Sequence, residues 1–328
     1  MRKNLRQIEI KVWIGEKFRV DLIEDYSSNE NFSYSVLNNI TIEVNKNSII
    51  IYTDDNNLAK IYPHFKFKET TEIKLTEKKT IKEAVIIHAL YKDVYFHWIY
   101  DIIPQLKVLE SNSSLKILMC PLKNSFQLES FKLLCNLKDV YTKSSFYEID
   151  KLYLPSQTTK LLMPCNFVFE FLTANLIKSK ANKEKNKIYI TRDRKYKRSI
   201  LNEKELIHIL EAKGYLIYNL EHISFSQQVE IFRNSNVIIS AHGSGLTNIV
   251  FCEPCTTILE IYGPGCGERC FARISNHLML NYRALEMSEI SYQSFLHRLY
   301  YMLFPNLNRF DFRLDINKID RNLTNYLS

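Results

Sequence analysis

Between residues 187 and 262 the apolar positions follow two rhythms. Short apolar, β-branched runs at 187–191, 215–220, 236–240 and 257–262 read as strands. Between them apolar residues recur at helical spacing. Asn202, with Glu205 three residues on, opens a helix through Leu206, Ile209 and Leu210 that stops at Gly214. Ser224 or Ser226 caps a second helix through Val229, Ile231 and Phe232, and 246–251 reads as a short third one. The run 236–240 is almost wholly apolar, as an interior parallel strand is. Strand and helix alternating over short links predict a parallel sheet covered on both faces.

The N-terminal half is less regular. Short strands are expected before residue 80, among them 48–52 and 60–62, then strands at 83–89, 116–120 and 151–154 with helices at 95–110 and 126–137. This is a second α/β unit with extra β structure. Residues 292–303 read as helical and are followed by a polar tail. The expected domains are 1–178 and 187–284, with 285–328 as a C-terminal segment and the lysine-rich 178–187 as hinge.

Composition narrows the classes. Of 328 residues 46% are apolar and 24% charged, which suits a globular chain and excludes a mainly disordered one. No run approaches the ~18 apolar residues of a membrane span, and no apolar segment follows the basic start, so a cytoplasmic location is expected. The net charge is +8, and residues 178–198 alone, with ten basic and two acidic side chains, carry that excess. The rest is balanced, so general nucleic-acid binding is not implied. The basic stretch reads either as a solvated linker or as an anion site or patch facing anionic lipid on the inner face of a membrane. The seven cysteines suit reduced thiols, the spacing of Cys252, Cys255, Cys266 and Cys270 being only loosely zinc-like.

Five of the seven glycines fall between 243 and 267. Gly243 and Gly245 lie between a buried strand and a helix start, where bare N–H groups can seat a diphosphate. A tight turn without a ligand is the alternative. The third glycine of the dinucleotide fingerprint is missing, as is any P-loop. A serine esterase would need a G-x-S-x-G elbow, which is absent. Arg192 follows a strand end, where its fork suits phosphate oxygens. Glu260, in the next strand, can hold ribose hydroxyls or be satisfied within the sheet. His97 and Asp101, four apart on the 95–110 helix, form either a general-base pair or a surface ion pair. Pro104 should bend or restart that helix. No Asp-x-Asp pair occurs to hold a divalent ion.

These residues are similar to a known set. The block from Phe96 to Pro104, with His97, Trp98 and Asp101, resembles the H-W-x-x-D-x-x-P block of glycosyltransferase family 61. Thr191-Arg192, then Arg198 and Asn202-Glu203, resembles that family's S/T-R…R-x-x-x-N-E segment. The stretch Ala241 to Asn248 with Phe251 resembles its central signature, and 258–261 closes the likeness. Ser244 stands where many members have alanine.

The resemblance implies a GT-B-like α/β fold, two Rossmann-like domains facing across a cleft. It implies inverting transfer of a sugar from a nucleotide sugar, commonly UDP-linked, without a divalent metal or other cofactor. The diphosphate would meet Arg192, Arg198 and the N–H groups of Gly243, Ser244, Gly245 and Leu246, with His242 and Asn248 in the same signature and Glu260 on the ribose. Asp101, or His97 beside it, would deprotonate the acceptor. The acceptor would be a glycan or lipid-linked glycan, in the manner of bacterial capsule or lipopolysaccharide assembly. A non-catalytic nucleotide- or glycan-binding module of the same fold is the alternative.

Overall fold

A computed structural model describes residues 7–14, 17–24, 31–55, 57–62, 65–72, 78–192, 199–263, 268–286 and 311–327. The chain divides into two compact units. One is discontinuous, residues 1–27 with 179–328, and the other, 28–178, is inserted within it. The first 27 residues do not join the N-terminal domain expected for them. They form a hairpin, β1 (Gln7–Ile14) and β2 (Lys17–Glu24), and β1 pairs in parallel with a strand some 270 residues later. Alternation in β1 buries Ile8, Ile10 and Val12 on one face, a local pattern that does not name its partner.

The inserted unit holds β3 (Tyr34–Val44), β4 (Ile49–Tyr52), β5 (Lys66–Lys68), β6 (Lys78–Ile86), β7 (Lys116–Leu118), β8 (Val140–Tyr141) and β9 (Ser145–Pro155). They form one sheet in the order β5-β4-β3-β9-β6-β7-β8. β9 runs antiparallel to β3 and parallel to β6, so the sheet is mixed. Val44, Ile51, Ala84, Ile86, Leu118 and Ile149 fill its core. Two helices, α1 (Ser125–Leu134) and α2 (Asn166–Leu176), accompany it, α1 opened by a capping box of Asn124 and Gln127. A small hairpin, β10 (Thr159–Lys160) and β11 (Met163–Pro164), turns through Leu161 and Leu162 at φ of 50° and 59°. Residues 60–62, expected as a strand, belong instead to a helical turn, Leu58–Ile61.

The segment 95–110, read as one helix, is composite. A turn of α-helix at Tyr95–His97 widens into a π-helical turn at Trp98–Ile102 and tightens to a 3-10 helix at Ile103–Glu110. Pro104 is the cause: it offers no N–H to the carbonyl four residues back, and its ring crowds that carbonyl. The N–H of Ile103 bonds Trp98, five residues back. Trp98 anchors the segment, fully buried against Phe131 with its indole N–H donating to Ser130 Oγ at 2.8 Å.

The discontinuous unit adds β12 (Asn186–Thr191), α3 (Glu203–Ala212), β13 (Tyr215–Asn219), α4 (Phe225–Arg233), β14 (Ser235–Ala241), β15 (Thr257–Tyr262), α5 (Cys270–His277), β16 (Asn281–Glu286) and α6 (Ile316–Leu327). Its sheet order is β13-β12-β14-β15-β16-β1-β2, with all pairs parallel except the terminal hairpin. From β12 the chain steps to one side, to β13, then returns to β14 on the other. Such a reversal leaves a crevice at the carboxyl ends of β12 and β14, where doubly wound sheets take ligands. The C-terminal residues are no polar tail: α6 buries Ile319, Leu323 and Tyr326 in the core of this unit. The hinge expectation fails beyond 178, since Asn182 N–H donates to Asn234 Oδ1 at 2.7 Å and Lys185 Nζ to the Arg233 carbonyl at 3.0 Å. The helix expected at 292–303 lies outside the described residues.

Gly263, just after β15, lies under the ring of Phe312, and a Cβ added there would meet that ring at 2.7 Å. Gly263→Ala should cost about 1–3 kcal/mol, read as a lower urea midpoint with unchanged slope.

Candidate functional site

In the inserted unit the sequence-predicted pair meets. His97 Nδ1 lies 2.6 Å from Asp101 Oδ2, and the Thr159 hydroxyl donates to Asp101 Oδ1 at 2.5 Å. The widened turn at 98–102 brings position 101 almost directly above 97. A carboxylate only accepts, so Nδ1 carries the proton, and it is Nε2 that can act as the acceptor atom of the ring. Gln105 fixes the surroundings. Its amide nitrogen donates to the carbonyls of Asp101 at 2.6 Å and His88 at 2.8 Å, and its oxygen accepts from the His88 N–H at 3.1 Å. His97, Asp101, Gln105 and Thr159 line a pocket of about 190 Å³. That is below the ~300–1,000 Å³ of clefts for drug-sized ligands, so it suits one monosaccharide ring better than a whole nucleotide sugar. Sequence reasoning missed Gln105 and Thr159. A glutamine inside an apolar stripe was a usable signal for the first; nothing local marked the second.

The second group lies in the discontinuous unit, at the reversal point of its sheet. Arg192 follows β12, and its Nη1 donates to the His242 carbonyl after β14 at 3.3 Å. The guanidinium lies against Gly243: a Cβ there would come within 2.9 Å of Nη1. Glycine permits this close approach, and a larger residue would push the end of the Arg192 side chain aside. A 3-10 helix, Ser244–Phe251, starts at once, and first-turn N–H groups have no partner within their own helix. Gly243 sits beside the guanidinium, whereas a Cβ at Gly245 would meet the Leu220 and Ile190 side chains. Leu246 does not fit the seat assigned to it: its N–H donates to the Gly243 carbonyl at 3.0 Å and its side chain is fully buried. Asn248 is likewise internal, its amide donating to Gln228 Oε1 at 3.0 Å and the Gly245 carbonyl at 3.3 Å. It braces the turn. Arg198 lies outside the described residues.

Glu260 is the clearest correction. Expected on a ribose, it is fully buried, and both oxygens are taken. His242 Nδ1 lies 2.5 Å from Oε1. The Tyr282 hydroxyl donates to Oε2 at 2.6 Å, and the Tyr262 hydroxyl lies 2.8 Å from the same oxygen. The Arg269 guanidinium stacks over Tyr262 at 4.2 Å. A buried charge persists only when surrounded in this way. His242, 9% exposed, is stacked on Tyr262 and held through Nδ1, so Glu260 positions the histidine whose carbonyl receives Arg192. Among the described residues no group of three or more His, Cys, Asp or Glu could hold a metal, and six cysteines are free thiols.

Burial first, and the Glu260 carboxylate second, push the Tyr262 and Tyr282 phenols well above their ordinary 10.0. A folded-state pKa above the unfolded one means their contribution is complete below about pH 10 and lost as pH rises from there. Urea unfolding followed from about pH 8 to about pH 11 should show stability level at first, then falling by roughly 1.4 kcal/mol per pH unit for each such tyrosine. Tyr282→Phe should cost about 1–3 kcal/mol at neutral pH, because it leaves a buried carboxylate short of a donor.

Comparison with known proteins covers the stretch of chain that carries both groups of residues. The family model described as Glycosyltransferase 61 matches residues 95–259, half of the chain and the part that carries His97, Asp101, Arg192 and Gly243. An EGF domain-specific O-linked N-acetylglucosamine transferase of Drosophila melanogaster is 33% identical over 110 residues, 32% of this chain and 20% of that protein. Beta-1,2-xylosyltransferase RCN11 of Oryza sativa subsp. japonica is 29% identical over 136 residues, 36% of this chain and 26% of that one. The chain spans about a fifth to a quarter of the length of these relatives. The match reaches from the composite helix of the inserted unit to β15 of the other, and on that extent the chain belongs to glycosyltransferase family 61.

Proposed function

We propose that the protein transfers a sugar from a UDP-linked nucleotide sugar to a hydroxyl of a glycan acceptor, with inversion and without a divalent metal. The observation that carries this is the Arg192 guanidinium lying on the bare backbone of Gly243 at the reversal point of a parallel sheet. One permanent positive charge, the N–H groups of Gly243 to Gly245 and a helix start suit a diphosphate. The GT-B architecture belongs to the same proposal, supported by two α/β units in a member of this family.

The acceptor hydroxyl gives its proton to His97 Nε2 as its oxygen attacks the anomeric carbon. The bond from that carbon to the diphosphate breaks on the opposite face, and the electron pair leaves with the diphosphate, where Arg192 and the main-chain donors offset the charge. Both oxygens of Asp101 already accept hydrogen bonds. This supports His97 as the base and Asp101 as the carboxylate that orients it and stabilises the imidazolium. The relatives named are eukaryotic and act, by their names, on EGF domains or as xylosyltransferases. They lend no support to a bacterial surface-polysaccharide role, a lipid-linked acceptor or contact with a membrane.

Incubation with UDP-sugars should release UDP, and EDTA should leave the rate unchanged. Asp101→Asn and His97→Ala, folded by circular dichroism, should each lower transfer by about 10²–10⁴-fold. Arg192→Ala should weaken UDP binding by about 1.5–3 kcal/mol, read as a smaller UDP-induced rise in Tm. Gly243→Ala, which displaces the guanidinium, should do the same in milder form. UDP binding without UDP release would mark a non-catalytic module instead.

A further inference from the structure

The loop after β6 holds two apolar side chains out in water. Leu90 is 67% exposed and Tyr91 61%, and both line the pocket of His97 and Asp101. The backbone that carries them is pinned on either side. Before them, His88 is held through both its N–H and its carbonyl by the buried Gln105. After them, the Lys92 carbonyl accepts from the buried Gln127 at 2.9 Å, and the Lys92 ammonium, itself only 5% exposed, donates to the Pro121 carbonyl at 2.9 Å. Two buried glutamines and a buried lysine thus fix a loop whose Leu90 and Tyr91 side chains lie largely in solvent. Exposed apolar surface held rigid at a pocket is what a binding site requires.

We infer that Leu90 and Tyr91 form a platform for the acceptor, and that it takes the C–H face of a sugar ring. This rests on the transferase reading of the same pocket. The lining has two characters. Tyr91 and Leu90 are apolar and flat, whereas His97, Asp101, Gln157 and Thr159 offer hydrogen bonds. A pyranose ring is amphipathic in the same way, with an apolar face of C–H groups and a rim of hydroxyls. The Tyr91 ring lies 5.1 Å from the His97 imidazole, tilted by 40°. A sugar ring held at Tyr91 would therefore lie next to His97, with its rim hydroxyls available to the polar side of the lining. Tyr91 is a specificity-determining contact in this arrangement.

Saturation-transfer NMR with the methyl β-glycosides of glucose, galactose, N-acetylglucosamine and xylose tests this on the full chain. Ring C–H signals should appear for at least one glycoside, persist in Tyr91→Phe and fall at least fivefold in Tyr91→Ala, with Leu90→Ala intermediate. A UDP-induced thermal shift equal to that of the unmodified protein shows that Tyr91→Ala is folded. Equal signals in Tyr91→Ala, no signal from any glycoside, or saturation transfer to a serine- or threonine-containing peptide alone would overturn the inference. Glycoside signals that depend on Tyr91, in a protein that releases no UDP from any UDP-sugar, would leave the platform standing and remove the transferase reading.

Discussion

Among the described residues, each unit holds an imidazole bound through Nδ1 to a carboxylate, and the solvation of the carboxylate separates the two. Glu260 lies fully buried in β15, in the interior of the sheet and without exposure to solvent. Every part of it must be satisfied by protein, so a histidine, two tyrosines and a stacked arginine converge there. That requirement fixes His242, whose carbonyl in turn receives Arg192. Asp101 sits at the wall of an open pocket instead, with its partner histidine partly exposed. The same pairing therefore serves as scaffold in one unit and as candidate chemistry in the other.

The parts of the fold readable from sequence were those whose signal is local. Buried parallel strands are contiguous apolar runs, so β12 to β15 and the helices between them stand out in 187–262. The glycine turn and the Arg192 position were legible because each needs a residue type that few other roles demand. What failed depended on distant partners. Nothing in Glu260 and its neighbours shows that Tyr282, on the next strand, will donate to it. Nor does the pattern of 7–14 reveal that it will pair with β16. The 95–110 helix was legible as helical, and Pro104 as a disturbance, but the π-helical turn was not. Its form depends on where the Pro104 ring and the Trp98 indole can be accommodated together.

The basic stretch shows how charge counting misleads when structure intervenes. Its ten positive side chains suggested a solvated linker, or an anion site or patch facing anionic lipid. Part of it is strand β12, where Lys187 lies over the Tyr215 ring at 5.6 Å, and Lys185 is bonded to a carbonyl. Of that segment it is Arg192, at the strand's carboxyl end, that the fold places beside a bare turn.

The hairpin at the start of the chain has a consequence for biosynthesis. Residues 28–178 are continuous and leave the ribosome before residues 179–328, so their sheet can form while the remainder is still being made. The other unit cannot close in that order. Its strands β1 and β2 must wait, unpaired along one edge, until β16 has been translated. A shortened gene that trims the N-terminal residues as dispensable would therefore damage the unit that carries Arg192 and Gly243, and leave the unit immediately following the cut intact.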